Sequence, residues 1–278
     1  MAGMGKRMRP HTLTVPKPLI PIAGKPIVHR LVEDIAKVCD EAIGQIGFII
    51  GRNFGAAVEE TLLEIATSVG GEGKIFYQEE ALGTAHAILC AQELMDDNVI
   101  VAFADTLFKA DFTLDASQDG IIWVQQVDDP SAFGVIKVEG EVITDFVEKP
   151  EQFVSDLAII GIYYFKNGAF LRSELQYLID NNIKDKGEYQ LTNALENMKN
   201  KGSNFIPGQV SEWLDCGNKN ATVYTNKRYL EFIKDEELVD STAVIKNSVI
   251  IPPVYIGANA TVENTILGPH VSLGDDSH

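Results

Sequence analysis

A helical pattern followed by a strand pattern decides the fold class, in residues 27–51, IVHRLVEDIAKVCDEAIGQIGFIIG. Apolar side chains recur every three or four residues from Ile27 to Val38, which is the spacing of one helix face. Residues 46–50 then form a short apolar run that ends at Gly51, as a buried strand does. This segment therefore predicts an amphipathic helix that leads into a strand.

The same alternation continues downstream and extends the prediction to most of the chain. We predict an α/β fold, with a mostly parallel Rossmann-like sheet that carries helices on both faces. A hairpin is expected around the Glu139-Gly140 turn, and a charged helix near residues 218–235 closes the main domain. Further helices are predicted at residues 58–66, 85–95, 169–179 and 190–198, and further strands at 74–77, 99–104, 121–127 and 158–165.

The end of the chain has a different pattern. Aliphatic residues at 250, 256, 262, 267 and 273 are spaced six, six, five and six apart, and glycine follows three of them. Repeated hexads of this kind predict a short parallel β-helix, although an ordinary tail of loops and strands stays open. We therefore predict two domains, a main domain at residues 1–236 and a hexapeptide-repeat segment at residues 237–278.

The composition excludes several classes of protein. With 45% hydrophobic residues among 278, the chain has enough apolar material for a large core and is not disordered. No apolar run reaches the roughly 18 residues of a membrane span, and no signal peptide is evident, so we expect a cytoplasmic protein with no membrane partner. The three cysteines are far apart, which suggests neither a disulfide framework nor a thiolate zinc site.

Charge is distributed unevenly along the chain. The formal net charge of −17 argues against a nucleic-acid partner, because neutralising phosphates takes clustered Lys and Arg. Residues 1–32 nevertheless contain six Lys or Arg and no Asp or Glu, against 17 basic and 40 acidic residues in the remainder. An anion site is therefore expected near the N-terminus, with a solvated basic arm as the alternative.

The segment Gly3-Met4-Gly5-Lys6-Arg7 combines glycines with cations. Glycine allows close backbone approach and offers N–H groups to phosphate oxygens, while Lys6 and Arg7 add positive charge. The GxxxxGK[ST] spacing of a Walker loop is absent. Lys17 lies between two prolines, which restrain the direction of its side chain.

These residues carry a resemblance to a known family. The run AGMGKRMRP at residues 2–10, with Pro16-Lys17-Pro18 after it, resembles the signature loop of the sugar nucleotidyltransferases, or nucleotide-sugar pyrophosphorylases, including the glucose-1-phosphate thymidylyltransferases. The hexad tail resembles a truncated form of the left-handed β-helix that several members carry. Further matches follow in the family's order, at residues 78–85, 103–108, 133–135, 148–150, 158–163 and 213–217.

The resemblance implies a magnesium-dependent enzyme. It would transfer a nucleotidyl group from a nucleoside triphosphate to a sugar 1-phosphate by in-line attack on the α-phosphorus, without a covalent enzyme intermediate. Glucose 1-phosphate is favoured by family frequency alone. Transfer from GTP to mannose 1-phosphate, transfer from UTP to N-acetylglucosamine 1-phosphate, and assembly as a homo-oligomer stay open.

Carried over position by position, the resemblance implies catalytic roles for Arg7, Lys17 and Asp105. Arg7 would hold the leaving β- and γ-phosphates and Lys17 the α-phosphate, while Asp105 and Asp215 would bind Mg²⁺. The other implied residues are Ala2, Gly3, Gly5, Lys6, Gln78, Gly83 and Thr84 for the nucleotide, and Gly134, Glu148, Lys149 and Gly161 for the sugar phosphate.

Within these sets, Lys149 would hold the phosphate of the sugar and Glu148 its hydroxyls. Gln78 and Gly83 would meet the base. A glutamine amide presents one acceptor and one NH₂ donor, which complement O4 and N3–H of thymine or uracil better than the two adjacent donors of guanine. We therefore expect dTTP or UTP as the substrate rather than GTP, unless Gln78 faces solvent and the backbone at Gly83 reads the base.

Physical chemistry supports the metal assignment independently of the resemblance. Asp105 follows an apolar strand, and open α/β sheets bind ligands at the carboxyl ends of their strands. Mg²⁺ prefers one or two carboxylates together with phosphate oxygens, which Asp105 and Asp215 can supply. The alternatives are that Asp105 caps a helix, that Asp215 is a turn residue, and that Glu148 and Lys149 form a surface ion pair.

The sequence departs from the family's pattern in its opening strand and at two single positions, and these two positions leave the subfamily open. Members usually have a short hydrophobic strand before the Gly-rich loop, and this sequence has none there. Lys6 and Cys216 stand where many members have threonine or a similar residue. The rival functions are a catalytically silent regulatory subunit, which should have lost a phosphate or metal residue, and a hexad acyltransferase, for which the tail is short and lacks a well-placed histidine.

Overall fold

The computed structural model describes residues 5–278, apart from the side chain of Lys6. Within that range, no helix is long and apolar enough to cross a membrane. The helices are α1 (Ile27–Val38), α2 (Ala56–Ser68), α3 (Thr84–Leu89), α4 (Gly168–Asp180), α5 (Leu191–Asn200) and α6 (Lys219–Phe232). The strands are β1 (Pro21–Ile22), β2 (Lys25–Pro26), β3 (Gln45–Ile50), β4 (Glu72–Tyr77), β5 (Val99–Ala102), β6 (Thr106–Lys109), β7 (Gly120–Gln126), β8 (Gly134–Glu139), β9 (Val142–Glu148), β10 (Leu157–Phe165), β11 (Phe205–Gln209), β12 (Glu212–Asp215), β13 (Val244–Lys246), β14 (Val249–Ile250), β15 (Tyr255–Ile256), β16 (Thr261–Glu263), β17 (Ile266–Leu267) and β18 (Ser272–Leu273).

The chain packs as two compact units. The first unit comprises Val32–Ala104 and Phe108–Trp213. The second unit comprises the described residues up to Leu31, Asp105–Leu107 and Leu214–His278. The domain boundary expected between residues 236 and 237 is not tested by this division and stays a prediction.

A six-stranded sheet forms the centre of the first unit. Its order is β11-β7-β10-β8-β9, with β5 also paired to β10. The α/β class is confirmed, but the expectation of a mostly parallel sheet needs correction, because β10 runs antiparallel to three neighbours and β8 and β9 form a hairpin. Only β11 with β7 is a parallel pair among the pairings described for this sheet.

Strands β3 and β4 form a separate parallel pair in the first unit, from Gln45 opposite Glu72 to Ile50 opposite Tyr77. Among the described residues, no other strand pairs with either of them. The strand that family members have before the Gly-rich loop would fall at or before residues 1–4, outside the described residues. The carboxyl ends of β3 and β4 are nevertheless side by side, which places Gln78 directly after a strand end.

Apolar periodicity explains how the helices cover this sheet. In α4, Leu171, Leu175 and Leu178 are fully buried at helical spacing, and in α5 Leu195 and Met198 are buried in the same core. Burying one leucine side chain fully contributes about 1.5–3 kcal/mol. Side-chain caps fix where helices begin, and for α4 the Asn167 side chain accepts a hydrogen bond of 2.9 Å from the N–H of Phe170.

Strand β10 contains an irregularity that divides its pairing. Its register with β7 shifts between Ile159 and Tyr163, around Gly161. Before the shift Ala158 pairs with β8, and after it residues from Ile162 onward pair with β5. The carbonyl of Gly161 accepts a hydrogen bond of 2.8 Å from the N–H of Phe103, so Gly161 lies beside the carboxyl end of β5.

In the C-terminal part of the second unit, residues 244–273, each of the first three strands pairs with a strand 17 residues further along the chain. We call this segment the coil. Val244 pairs with Thr261, Val249 with Ile266 and Tyr255 with Ser272, all in parallel. The expected parallel segment is therefore present, and its handedness stays a prediction. Its buried residues are Val254, Ile256, Ala260 and Val262, packed by neighbours that include Ile250, Leu267 and Leu273.

This coil is attached to α6 and to the β1–β2 turn within the second unit. The amide of Asn226 accepts hydrogen bonds of 2.9 Å from the N–H of Ala23 and from the hydroxyl of Ser272. Its own NH₂ group donates to the carbonyl of His270 at 3.2 Å. The ring of Tyr255 covers Gly24 so closely that no side chain fits there. The coil thereby holds the β1–β2 turn in place, and this turn follows Lys17 in the chain.

Candidate functional site

The described part of the signature loop is folded by its own hydrogen bonds. The carbonyl of Gly5 accepts from the N–H of Met8 and from the hydroxyl of Thr12, both at 2.8 Å. Gly5 has φ +55°, and a Cβ there would lie 2.9 Å from Cγ2 of Thr12, so this position requires glycine. Met8 is buried under the loop and Arg7 is exposed. Ala2, Gly3 and the side chain of Lys6 lie outside the described residues.

Lys17 and Asp105 form the central ion pair of the second unit. The Nζ of Lys17 donates to Oδ2 of Asp105 at 2.7 Å. The lysine side chain is 11% exposed and the aspartate side chain 42%, so a mostly buried cation meets a carboxylate that still reaches solvent. Asp105 directly precedes β6, and its carbonyl accepts from the N–H of Cys216 at 2.9 Å. This bond brings the segment that contains Asp215 next to Asp105.

Asp215 lies in an environment that disfavours its charge. Burial raises the pKa of Asp215 above its ordinary value, and the neighbouring Asp105 carboxylate raises it further. The N–H of Gly217, which donates to Oδ1 at 2.7 Å, acts in the opposite direction, as do the charges of Lys17 and Arg7. Two carboxylates and two cations of the expected site are therefore close enough to interact electrostatically.

Cys216 does not take part as a nucleophile. Its side chain is fully buried, and burial raises the pKa of its thiol to about 12. The thiol therefore stays protonated at neutral pH and is a weak nucleophile.

The nucleotide loop, which we define as residues 78–85, lies in the first unit. Gln78 is buried, and its Nε2 lies 3.1 Å from both the carbonyl of Gly83 and Nδ1 of His86. With the proton of His86 on Nε2, both N–H bonds of the amide are taken by Gly83 and His86. The amide is then left with an oxygen that can accept, and it has no N–H to donate to O4 of a base. Gly83 has φ +114°, and a Cβ there would lie 2.4 Å from the carbonyl oxygen of Tyr189. Glycine is therefore required at this position as well.

Thr84 is the first residue of α3 and reaches a distant helix. Its hydroxyl oxygen accepts from the N–H of Leu191 at 2.9 Å, which caps the start of α5. The same hydroxyl donates to Oε1 of Gln190 at 3.2 Å. Thr84 thus provides the N-terminal side-chain cap of α5, although it is distant in the sequence.

The expected sugar-phosphate residues meet at the ends of β8 and β9. The carboxylate of Glu148 is 3.1 Å from Nζ of Lys149, and the hydroxyl of Thr192 donates to its other oxygen at 3.5 Å. A Cβ on Gly134 would lie 3.2 Å from the same carboxylate. Lys149 has φ +40°, a conformation that is rare and strained for residues other than glycine. Strain of this kind concentrates at functional sites.

Lys186 and Thr192 were not among the residues expected from the sequence. Lys186 donates from Nζ to the carbonyl of Lys149 at 2.6 Å, across 37 positions of the chain. The glycine after Lys186, which permits a tight turn before α5, is a weak sequence signal at this position. In the structure Gln190 makes no side-chain cap, because Thr84 supplies it.

The structure therefore assembles the expected residues into two groups, one in each unit. Arg7, Lys17, Asp105 and Asp215 are grouped in the second unit. In the first unit, Gln78, Gly83 and Thr84 are linked through residues 185–192 to Glu148, Lys149 and Gly134. Gly161 is bonded to Phe103 at the end of β5.

Comparison with known proteins identifies relatives over nearly the whole chain. The family model described as nucleotidyl transferase matches residues 1–231. A glucose-1-phosphate thymidylyltransferase of Streptomyces antibioticus is 30% identical, over 99% of this chain and 81% of its own length. The low-salt glycan biosynthesis nucleotidyltransferase Agl11 of Haloferax volcanii is 29% identical, over 99% of this chain and 82% of its own. The bifunctional protein GlmU of Methanococcus maripaludis is 30% identical, and the chain spans 58% of its length.

Solved structures give the same answer for the fold. A UDP-glucose pyrophosphorylase complexed with UDP-glucose superposes with a TM-score of 0.68 and 25% identity, over 83% of this chain and 96% of that one. A protein of Bacillus anthracis, described as a putative glucose-1-phosphate thymidylyltransferase, has a TM-score of 0.68 at 24% identity, over 81% of this chain and 91% of its own.

Proposed function

The chain belongs to the nucleotidyl transferase family, and we propose that it transfers a nucleotidyl group from a nucleoside triphosphate to a sugar 1-phosphate, releasing pyrophosphate. We propose dTTP or UTP as the nucleotide and glucose 1-phosphate as the sugar phosphate. The relatives support this choice, since they include a glucose-1-phosphate thymidylyltransferase and a UDP-glucose pyrophosphorylase.

One observation supports the chemistry most directly, which is the mostly buried Lys17 held on Asp105 at 2.7 Å beside Asp215. In the proposed reaction, a phosphate oxygen of the sugar 1-phosphate attacks the α-phosphorus, and the bond from that phosphorus to the bridging oxygen of pyrophosphate breaks. Transfer between phosphates depends on positioning and neutralisation of charge rather than on a protein nucleophile. Lys17 would lie against the charge that grows on the α-phosphate.

Arg7 would hold the β- and γ-phosphates as they leave. Its side chain is exposed in the described structure, so it can reach a ligand without breaking a buried contact. Backbone N–H groups of the signature loop, including those of Gly5 and Lys6, would add neutral donors to these phosphates. Ala2 and Gly3, which lie outside the described residues, are proposed for the same role by their sequence positions alone.

Asp105 and Asp215 fit a magnesium ion by the chemistry of their donor atoms. Carboxylate oxygens are the hard ligands that Mg²⁺ prefers. Burial and then the neighbouring Asp105 carboxylate raise the pKa of Asp215, and a cation would relieve the repulsion between the two carboxylates. No group of three potential metal ligands is found among the described residues, so phosphate oxygens would complete the coordination. When bound, Mg²⁺ supplies charge neutralisation for the triphosphate.

In the first unit, Lys149 would bind the phosphate of the sugar 1-phosphate and Glu148 would accept its hydroxyls. The ion pair between these side chains is half exposed at the lysine, so an incoming phosphate could compete for the ammonium group. Gly134 leaves space beside the Glu148 carboxylate that a side chain would fill. Gly161, which lies in β10 beside the carboxyl end of β5, is proposed to line the same site.

The test is a matrix of pyrophosphate-release assays with dTTP, UTP, GTP and ATP against glucose 1-phosphate, mannose 1-phosphate and N-acetylglucosamine 1-phosphate, with Mg²⁺. We expect the highest kcat/KM for dTTP or UTP with glucose 1-phosphate. The Lys17→Ala variant, purified in the same way, controls for contaminating activity. Release from GTP alone would contradict the nucleotide, and a chain inactive in every combination would be the silent regulatory subunit.

A further inference from the structure

A short segment connects the two parts of the site in the first unit. We call residues 185–191 the strap. It begins with a two-residue turn, in which Asp185 and Glu188 exchange backbone hydrogen bonds of 2.9 and 3.0 Å. Lys186 and Gly187, at the centre of the turn, both have positive φ, of +50° and +86°. That geometry is typical of the tight type I′ turn, which fixes the direction of the residues on either side.

One end of the strap contacts the proposed sugar-phosphate residues. Nζ of Lys186 donates to the carbonyl of Lys149 at 2.6 Å and so ties the turn to a residue whose own backbone is strained. Directly after the strap, the hydroxyl of Thr192 reaches Oε2 of Glu148 at 3.5 Å. Movement of the strap would therefore act on the backbone of Lys149 and on the side chain of Glu148, the two residues that are proposed to hold the sugar 1-phosphate.

The other end of the strap is hydrogen-bonded to the nucleotide loop. The N–H of Tyr189 donates to the carbonyl of Leu82 at 2.8 Å, and the carbonyl of Tyr189 accepts from the N–H of Ala85 at 2.9 Å. These two bonds flank Gly83, where a Cβ would meet the Tyr189 backbone at 2.4 Å. The loop and the strap consequently cannot shift independently at this point.

The side chain of Gln190 connects the nucleotide loop to the turn of the strap. It is only 5% exposed. Its Oε1 accepts from the hydroxyl of Thr84 in the nucleotide loop, and its Nε2 donates to Oε2 of Glu188 in the turn, each at 3.2 Å. A planar amide with both its acceptor and its donor engaged holds its two partners at a fixed separation.

We propose that Gln190 is a positioning residue that couples the nucleotide loop to Glu148 and Lys149, so that each substrate raises the affinity for the other. The inference rests on the proposed function, because it takes these two groups to bind the two substrates. Linkage requires the effect to be reciprocal, and couplings of this kind span roughly 5- to 150-fold.

Isothermal titration calorimetry can measure the coupling directly. The probes are α,β-methylene-dTTP, whose α–β bond cannot be cleaved in the reaction, and glucose 1-phosphate, with Mg²⁺ throughout. For the wild type, we expect saturating glucose 1-phosphate to lower the Kd of the nucleotide analogue by about tenfold. In Gln190→Leu, which keeps the side-chain volume and removes both hydrogen bonds, that ratio should fall to within about twofold of one, with each separate Kd changed about threefold or less.

Gln176→Leu is the matched control, because Gln176 bonds Asp180 on α4 and has no contact with the strap among its described hydrogen bonds. It should keep the wild-type ratio. Gln190→Glu retains an acceptor for Thr84 but repels Glu188, so it should give an intermediate ratio even if the leucine variant does not fold. A wild-type ratio of one, or an unchanged ratio in both Gln190 variants, would overturn the inference while both probes still bind. Absence of binding by either probe alone would instead contradict the proposed function, and the inference with it.

Discussion

The charged residues of the second unit and the nucleotide loop of the first unit are held by different physical means. In the second unit the contacts are between charges: Lys17 is paired with Asp105, and the half-buried Asp215 interacts with the same carboxylate. In the first unit, neutral hydrogen bonds and backbone groups hold the nucleotide loop, as in the contacts of Gln78 with Gly83 and of Thr84 with the start of α5. The difference lies in which atoms hold the residues in place.

This difference suggests a division of labour. Fixed charges act most strongly on a reaction in which charge develops, because they stabilise the transition state more than the bound substrate. Neutral hydrogen bonds discriminate between ligands by whether each donor and acceptor finds a partner. Substitutions in the second unit should therefore change turnover, and those in the first unit should change affinity and selectivity.

The largest effect is expected at the two aspartates. Asp105→Asn and Asp215→Asn should each lower kcat by about 10²-fold or more, because each removes an anionic ligand proposed for Mg²⁺. The fold should survive, because asparagine keeps an oxygen that can accept from Lys17 or from the N–H of Gly217. Steady-state kinetics across a range of Mg²⁺ concentrations measures the effect.

Asp145→Asn is the control, since that carboxylate is half exposed and pairs only loosely with Lys137, at 3.9 Å. It should have wild-type turnover. Normal activity of both site variants at limiting Mg²⁺ would show that neither carboxylate binds the metal.

The same substitution at two lysines tests whether the second unit mainly affects turnover and the first unit mainly affects affinity. Lys17→Ala should depress kcat by about 10- to 100-fold, because its charge answers negative charge that grows at the α-phosphate. Lys149→Ala should mainly raise KM for the sugar phosphate, because Lys149 is proposed to bind a phosphate that is present before and after transfer. Lys37→Ala, at an exposed lysine that pairs with Asp34, is the control. Identical profiles for the two site variants would contradict the comparison between the units.

A smaller effect is expected at Gln78. With the proton of His86 on Nε2, Gly83 and His86 take both N–H bonds of the Gln78 amide, and its oxygen is left to accept N3–H of thymine or uracil. Gln78→Ala should lower kcat/KM for dTTP and UTP by about tenfold relative to ATP, because a lost hydrogen bond to a buried group changes binding by about 1–3 kcal/mol. Gln45→Ala, at an exposed glutamine that bonds Glu72, should change nothing. Selectivity indifferent to the loss of Gln78 would assign base recognition to the backbone at Gly83.

Sequence patterns predicted many of the elements and predicted the sheet less well. The helix expected at residues 85–95 ends at Leu89. The helix expected at residues 27–38 has those bounds, because its apolar spacing leaves only one face to bury. The direction of β10 could not be predicted, since all but one of its residues are buried, and a continuous apolar run reads the same whichever way its neighbours run. For the same reason, the sheet was expected to be mostly parallel and is mixed.

The residues proposed for the site differ in how readily they can be recognised from the sequence. Asp105 could be singled out because it follows an apolar strand, and Lys17 because two prolines flank it. Lys186 could not, because a lysine before a glycine in a turn is common, and only the fold brings it to Lys149. The role of Thr84 as a cap for α5 also depends on a contact across 107 positions, which no local pattern encodes.

The smallest effect concerns stability, and it should have opposite signs in the two units. Burial and Asp105 raise the pKa of Asp215 in the folded protein, so ionised Asp215 destabilises the fold at neutral pH. Asp215→Asn should therefore raise Tm at pH 7 without Mg²⁺ by about 2 °C or more, even though turnover falls. Gln78→Ala should lower Tm by a similar amount, because it leaves the carbonyl of Gly83 without one of its donors.

The sign of each change in Tm can be checked by differential scanning calorimetry at several pH values. A carboxyl group whose pKa is raised by folding stabilises the protein at pH values below its pKa in the unfolded chain, which is near 4. That contribution is lost as pH rises through the pKa of the group in the folded protein. The gain from Asp215→Asn should thus shrink as pH falls toward 4, where the wild-type carboxyl is itself protonated, whereas the loss from Gln78→Ala should not depend on the ionisation of Asp215. Mg²⁺ should raise Tm in the wild type more than in Asp215→Asn. An Asp215→Asn variant less stable than wild type at pH 7 would mean that the carboxylate is held by favourable contacts, and the contrast between the two units would lose its energetic basis.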